Sequence, residues 1–215
     1  MHFSEGKPCN ESGQLNPVAA FLSSEYVDPK NTSVSYNLGA DKCIDGVTDG
    51  PDSGNPGDDL CHTSYPPPPD PKRPWIHNYP WLAIDFGVEV FVKKVVLFNR
   101  RECCYNRTRN ISIGISNCLP DSERNPPFWS KCGGSWIDSF APPISDHPPN
   151  QQLRGPAGPG QQIEVENLRG FGYTRAGRYL VIQIEKAVEP LNLKEVVVYG
   201  YENSTEVKIC EKPYL

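Results

Sequence analysis

At the end of the apolar run Val95-Val96-Leu97-Phe98, two cysteines, Cys103 and Cys104, stand side by side among Arg100, Arg101, Arg107 and Arg109. The run reads as a buried strand, and neighbouring residues on an extended chain point to opposite faces. Cys103 and Cys104 therefore cannot both reach one partner layer: they bond to two separate cysteines, or to each other. A bond between sequence neighbours spans ~3.8 Å between Cα atoms. That is below the usual disulfide range, so such a ring is strained and presents a small, rigid, apolar sulfur surface. With Arg100, Glu102 and Arg107 around it, this surface reads as a binding site for something small, neutral and rich in hydroxyls. The plainer reading of the same residues is two cysteines with separate partners and a solvated arginine cluster.

The rest of the chain is cut into short pieces. Twenty-three prolines and eighteen glycines among 215 residues argue for many turns and against long helices. Between them lie segments that read as strands: 17–24, 80–87, 90–98, 111–116 with period-two alternation, 177–184 and 191–200. Residues 141–161 are dense in proline and glycine and read as a surface loop rather than a domain boundary. No internal repeat is present. The length suits one sizeable core.

A formal net charge of −5 disfavours nucleic acid as a partner, because phosphate contact needs a basic face. Eight cysteines point to an oxidising compartment. Five Asn-x-Ser/Thr sequons, at Asn10, Asn31, Asn106, Asn110 and Asn203, point the same way. The expected location is therefore secreted or on the outer cell surface. No apolar stretch is long enough to span a bilayer. The first residues lack the apolar core of a signal peptide, so the signal has been removed or the chain is cut from a longer one.

From Asp45 to Asp59 the chain carries Asp45, Asp49, Asp52, Asp58 and Asp59 among glycines and prolines. Such a loop is either solvated or supplies oxygen ligands to a hard cation. It lacks the alternating ligand spacing and terminal glutamate of an EF-hand. Enzyme signatures are missing too: there is no Gly-x-Ser-x-Gly, no His-Glu-x-x-His and no Cys-x2-Cys pair. The chain is read as a non-enzyme.

Arg100-x-Glu102-x4-Arg107 enclosing Cys103-Cys104 resembles the signature of the F-type lectins, or fucolectins. In that family the pattern is Arg-x-Asp-x4-Arg around a vicinal disulfide, preceded by a histidine. Pro80-Trp81 with Ile84-Asp85, the turn 40–46 and Lys194-Glu195 with Tyr199-Gly200 resemble further family markers. The resemblance covers residues 16–202 and leaves tails at 1–15 and 203–215. It implies an all-β fold, a single discoidin-like β-sandwich jellyroll with long loops at one end. Trp81, Ile84 and Phe86 are expected in its core.

The resemblance also implies a function: recognition of L-fucose or fucosylated glycans and glycoproteins, with a homo-oligomer as the route to avidity. His62, Arg100 and Arg107 would bind the sugar, with the Cys103–Cys104 ring against its edge and Glu102 orienting the arginines. Thirty-seven residues separate His62 from Arg100, more than in the family, because of a proline-rich insertion. His77 is the competing histidine. Tyr26, Tyr36, Tyr65 and Tyr105 are candidates for the apolar wall. A structural Ca2+ is implied as well, held by the side chains of Asp45 and Glu195 and by carbonyls near Lys42, Val47 and Asp59.

A loop disulfide Cys118–Cys132 follows from the resemblance. Cys9, Cys43, Cys61 and Cys210 allow three pairings. Cys43–Cys61 with Cys9–Cys210 is preferred, because it leaves no long tail unanchored. A glycan on Asn106 would crowd the mouth of the site. The alternative is then a discoidin-like adhesion or recognition domain that binds a protein surface.

Overall fold

The computed structural model describes residues 13–24, 38–49, 60–65, 80–117, 119, 156–166, 176–184 and 189–202. Within them the chain forms β1 (Gly13–Gln14), β2 (Ala19–Leu22), β3 (Cys61–His62), β4 (Trp81–Phe98), β5 (Ile111–Ser116), β6 (Gln162–Glu166), β7 (Gly177–Ile184), β8 (Asn192–Leu193) and β9 (Glu195–Glu202). The described helical turns are two short 3₁₀ turns, Ala40–Cys43 and Tyr105–Arg107. All the strand pairings are antiparallel. The fold is an all-β sandwich.

β4 is the strand that both layers share. Its first half pairs with β2 and β7, and β5 lies beyond β7. Its second half runs between β9 and β6, with β1 on the far side of β9. The register against β7 shifts between Asp85 and Val90, around Gly87 at φ +74°. Only glycine adopts that conformation without a Cβ penalty, so Gly87 lets one strand pass from one layer to the other. The sequence reads 80–87 and 90–98 as two strands; the chain makes them one.

Alternation along the strands builds the core. Leu82, Ile84, Leu180, Ile182 and Ile113 of one layer share a cluster with Val95, Leu97, Val196, Val198, Ile163 and Val165 of the other. Phe86 also belongs to it. Trp81 does not: it is buried with Ala83, Val181 and Tyr179 in a separate small cluster. The period-two rule puts it on the face opposite Leu82.

The other differences have local causes. The segment 191–200 divides at Lys194 into β8 and β9. β6 comes from 162–166, where alternating Ile163 and Val165 pair against β4. β1 and the buried Leu15 carry the folded domain into the segment read as an N-terminal tail. β3 and β8 make a two-stranded ribbon with Cys61 opposite Leu193 and His62 opposite Asn192. The Cys43–Cys61 disulfide forms as expected, with Cα atoms 5.2 Å apart, and ties this ribbon to the 3₁₀ turn Ala40–Cys43. Cys9, Cys118, Cys132, Cys210, His77, Asn10, Asn31 and Asn203 lie outside the described residues, so those expectations are untouched.

Candidate functional site

Asn99 ends β4 and organises the loop that follows. It is buried, and its Nδ2 donates to the carbonyls of Tyr105 at 3.0 Å and Gly158 at 2.9 Å. Its Oδ1 accepts from the Thr108 hydroxyl at 2.7 Å. The carbonyls of Arg100 and Thr108 accept from the backbone of Gly160 and Ala157, which fastens the loop to the segment before β6. Inside this frame Cys104 takes φ 64° and ψ 12°, a left-handed conformation that costs ~1–2 kcal/mol for a residue with a Cβ. It turns the chain into the Tyr105–Arg107 turn and sets Arg107 beyond it.

The two cysteines are adjacent in space but not bonded. Both are free thiols, and the Cys104 thiol donates to Cys103 Sγ at 2.8 Å. The ring expected between them is therefore open in this structure, and neither sulfur reaches another cysteine. Closing it would remove two protons and two electrons from a pair already in contact. Cys103 is pushed up from the ordinary thiol range, first by burial and then by the Cys104 thiol, against the pull of Arg100 and Arg107. It stays neutral.

His62 is buried on β3, with Nδ1 2.5 Å from the carbonyl of Thr63. A carbonyl only accepts, so Nδ1 carries the proton and Nε2 of the neutral ring is an acceptor. Burial pulls its pKa down to about 4, and the charges of Arg107 and Arg100 push in the same direction; the Thr63 hydrogen bond opposes them. The same two guanidiniums bear on His62 and on Cys103. The fold thus brings His62, Arg100, Arg107 and the cysteine pair to one place.

Arg100 is only 7% exposed, and its Nε is sealed from solvent without a hydrogen-bond partner. Arg107 donates from Nη2 to the Tyr65 hydroxyl at 2.7 Å, and its guanidinium carbon lies 5.3 Å from the Tyr65 ring centre. Tyr65 is the candidate aromatic that reaches the arginines. Tyr105 contributes its carbonyl to Asn99, while Tyr26 and Tyr36 lie outside the described residues.

Glu102 does not orient the arginines. It is exposed, and none of the described ion pairs includes it. On a solvated bend an ion pair contributes only ~0–1 kcal/mol against the entropy of two long side chains. The flanking arginines are paired instead with distant carboxylates, Arg101 with Asp49 and Arg109 with Glu189, both at 2.6 Å.

Sequence reasoning also missed Asn192. It lies opposite His62 in the ribbon, is 1% exposed, and leaves both amide atoms without a partner. Nothing in its context Leu191-Asn192-Leu193 sets it apart from a surface amide. Asn99 had one faint signal, a polar residue closing an apolar run.

The cation residues gather at the other side of the same ribbon. Asp45 Oδ1 accepts from the Val47 N–H at 3.0 Å, and Oδ2 accepts from Lys42 Nζ at 3.3 Å. Glu195 Oε2 accepts from the Gly46 N–H at 3.0 Å. Burial, and then the neighbouring Asp45 carboxyl, push the Glu195 pKa up to about 8. A buried carboxyl, Glu195, beside the more exposed carboxyl of Asp45 and the 42–47 turn suits a hard cation. No third acidic, imidazole or thiol group joins them among the described residues; Asp59 lies outside those residues.

No protein-family model and no curated protein matches the sequence. Solved structures do. A fucolectin from the serum of the striped bass, Morone saxatilis, superposes with a TM-score of 0.56 at 20% identity, over 87% of this chain and 48% of that one. The chain has the fold of the F-type lectins, a discoidin-like β-sandwich. A Streptococcus pneumoniae fucose-binding module, SpX-3, gives a TM-score of 0.52 at 16% identity, over 88% of this chain and 99% of that one. The lectin domain of lectinolysin, solved with Lewis b antigen, gives 0.51 at 19% identity, over 86% and 93%. The chain spans about half the length of the striped bass fucolectin and nearly all of the other two modules.

Proposed function

We propose that this chain is an extracellular carbohydrate-binding module that takes a fucosylated glycan at His62, Arg100 and Arg107, with Ca2+ held by Asp45 and Glu195. The observation that carries the reading is Arg100, a buried guanidinium with an unpartnered Nε next to a neutral histidine and a second arginine. Unsatisfied buried donors are costly, and a sugar offers hydroxyl and ring oxygens to accept from them. The guanidinium fork fixes the direction of several donors at once. Nε2 of His62 complements them as an acceptor for a sugar hydroxyl. Tyr65 supplies the apolar wall beside Arg107, and the Cys103–Cys104 pair, oxidised outside the cell, supplies a second apolar edge.

The residues of the cation site fit Ca2+. An ion would relieve the repulsion between Asp45 and Glu195 and clamp the 42–47 turn to the start of β9. Avid binding would require several such sites presented together.

One observation favours the second reading, a domain that recognises a protein surface. Asn106 is exposed one residue from Arg107, so a glycan there would cover the arginines. An array of fucosylated glycans probed with the Asn106→Gln protein separates the two. Binding of fucosylated glycans by that variant supports the lectin; silence across the array supports the protein-recognition domain.

A further inference from the structure

Arg107 comes from the loop after β4, and the side chain that meets it comes from the strap that carries His62. Residues 61–65 are fastened at consecutive positions. The His62 N–H donates to the Leu38 carbonyl at 3.1 Å, and the Thr63 N–H to the Leu191 carbonyl at 3.0 Å. The Thr63 hydroxyl accepts from the Leu191 N–H at 2.9 Å, and the Ser24 hydroxyl accepts from the Ser64 N–H at 3.1 Å. Tyr65 follows directly, so bonds to three separate segments set where its side chain starts. That side chain is 46% exposed, yet Arg107 engages both its hydroxyl and its ring.

The direction of the hydrogen bond decides what this contact does. Guanidinium nitrogens only donate, so the Tyr65 oxygen accepts from Arg107 Nη2. The phenol keeps its own proton for another acceptor, and a hydroxyl that accepts from a cation is polarised toward donating. Arg107 commits one of its five N–H groups and keeps four. Two effects then compete when a ligand arrives: Tyr65 has taken one donor from the fork, and it has fixed the direction of the rest. A free arginine side chain loses much rotamer entropy on binding, and one already held loses less. With four donors still available, the second effect is the greater.

We infer that Tyr65 is a further ligand-binding residue of this site: it holds Arg107 in its binding position and donates its own hydroxyl proton to a ligand oxygen. This rests on the carbohydrate-binding reading above and adds a specificity-determining group to that same site. An apolar wall would need the ring alone; here the hydroxyl carries the role. His62 and Tyr65 are then two groups of one strap that work on the arginine loop together, His62 within the field of Arg107 and Tyr65 in contact with it.

The test titrates L-fucose and Lewis b oligosaccharide into the full chain carrying Asn106→Gln, and into the same protein carrying Tyr65→Phe or Tyr65→Ala. Phenylalanine keeps the ring and removes only the hydroxyl. Tyr65→Phe should weaken binding about tenfold or more, as expected for a lost hydrogen bond coupled to a charged group, at an unchanged melting temperature. Tyr65→Ala should weaken it further, because the ring contact with the guanidinium is lost too. A second readout needs no ligand: nitrogen relaxation at Arg107 Nε should show a more mobile guanidinium in Tyr65→Phe than in the parent protein. Equal or tighter binding by Tyr65→Phe would overturn the inference and leave the lectin reading standing, with Tyr65 as a wall only. A guanidinium of unchanged mobility would overturn it as well. No binding of either sugar by the parent protein would overturn both.

Discussion

The arginine loop and the Asp45–Glu195 clamp lie on the same two pieces of chain and have opposite electrostatics. Phe98 at the end of β4 pairs with Glu195 at the start of β9. One step beyond Phe98 the chain enters the loop of Arg100 and Arg107, and one ribbon strand before Glu195 stands Asn192, opposite His62. On one side two guanidiniums gather around neutral partners. On the other, two carboxyls are neighbours, with Lys42 paired to Asp45. Elsewhere the fold pairs its charges closely, as in the two-bonded contact of Arg178 with Asp85 at 2.7 and 2.8 Å. The difference lies in the neighbours: Asp85 meets an opposite charge directly, among the described residues Arg100 and Arg107 meet no carboxylate, and Glu195 sits beside a charge of its own sign.

The largest expected effect is on the positive side. Arg107→Ala should abolish glycan binding in calorimetry while leaving the melting temperature nearly unchanged, because Arg107 is half-buried and its described side-chain contact is with Tyr65 alone. Losing one charged donor costs ~1.5–3 kcal/mol, enough to erase a weak single-sugar site.

Next comes the negative side. Calcium at about a hundredfold above its dissociation constant should add ~2.7 kcal/mol of stability by mass action, read as a higher melting temperature that a chelator reverses. Glu195→Gln should remove that response. Equal melting with chelator and with calcium would dismiss the ion.

The two regions should also show opposite pH slopes. His62 has a folded pKa of about 4, below its ordinary 6.5. The unfolded chain therefore takes up the proton first, and stability that is full above pH 6.5 is lost as pH falls toward 4, by up to about 3 kcal/mol. Glu195 is the reverse, raised from 4.5 to about 8. Its contribution is full below pH 4.5 and is lost as pH rises through 8 in chelator, whereas calcium, which favours the ionised form, should flatten that loss. Denaturant melts across pH with and without calcium would measure both.

The smallest effect is expected at Arg101. It neighbours Arg100 in sequence but pairs with Asp49, and both side chains are mostly exposed, at 52% and 86%. Arg101→Ala should shift stability by less than about 1 kcal/mol and leave glycan binding intact.

Much of this was legible in the chain, for physical reasons that differ by residue. Period-two alternation located β5 because Ile111, Ile113 and Ile115 all face the core and the strand pairs with β7 along its whole length. It failed at β4, where a single glycine with positive φ joins two runs that read as separate strands. Charged residues announce themselves by type, so the sequence singles out His62, Arg100 and Arg107, and Asp45 with Glu195, and the fold brings each set together. What type does not carry is pairing. Glu102 was expected on the arginines and stands in solvent, and the sulfurs of Cys103 and Cys104 touch without bonding. Asn192 is invisible for the same reason, and Asn99 nearly so: an amide buried by distant strands looks in sequence like one at a surface, and only the fold decides which it is.

The most direct test of the sugar site is calorimetric titration of a soluble fucosylated oligosaccharide into the Asn106→Gln protein and into the same protein carrying Arg107→Ala. A site built from His62, Arg100 and Arg107 predicts saturable binding by the first protein and none by the second, at matched melting temperatures. Binding of equal strength by both proteins would contradict it, as would no binding by either.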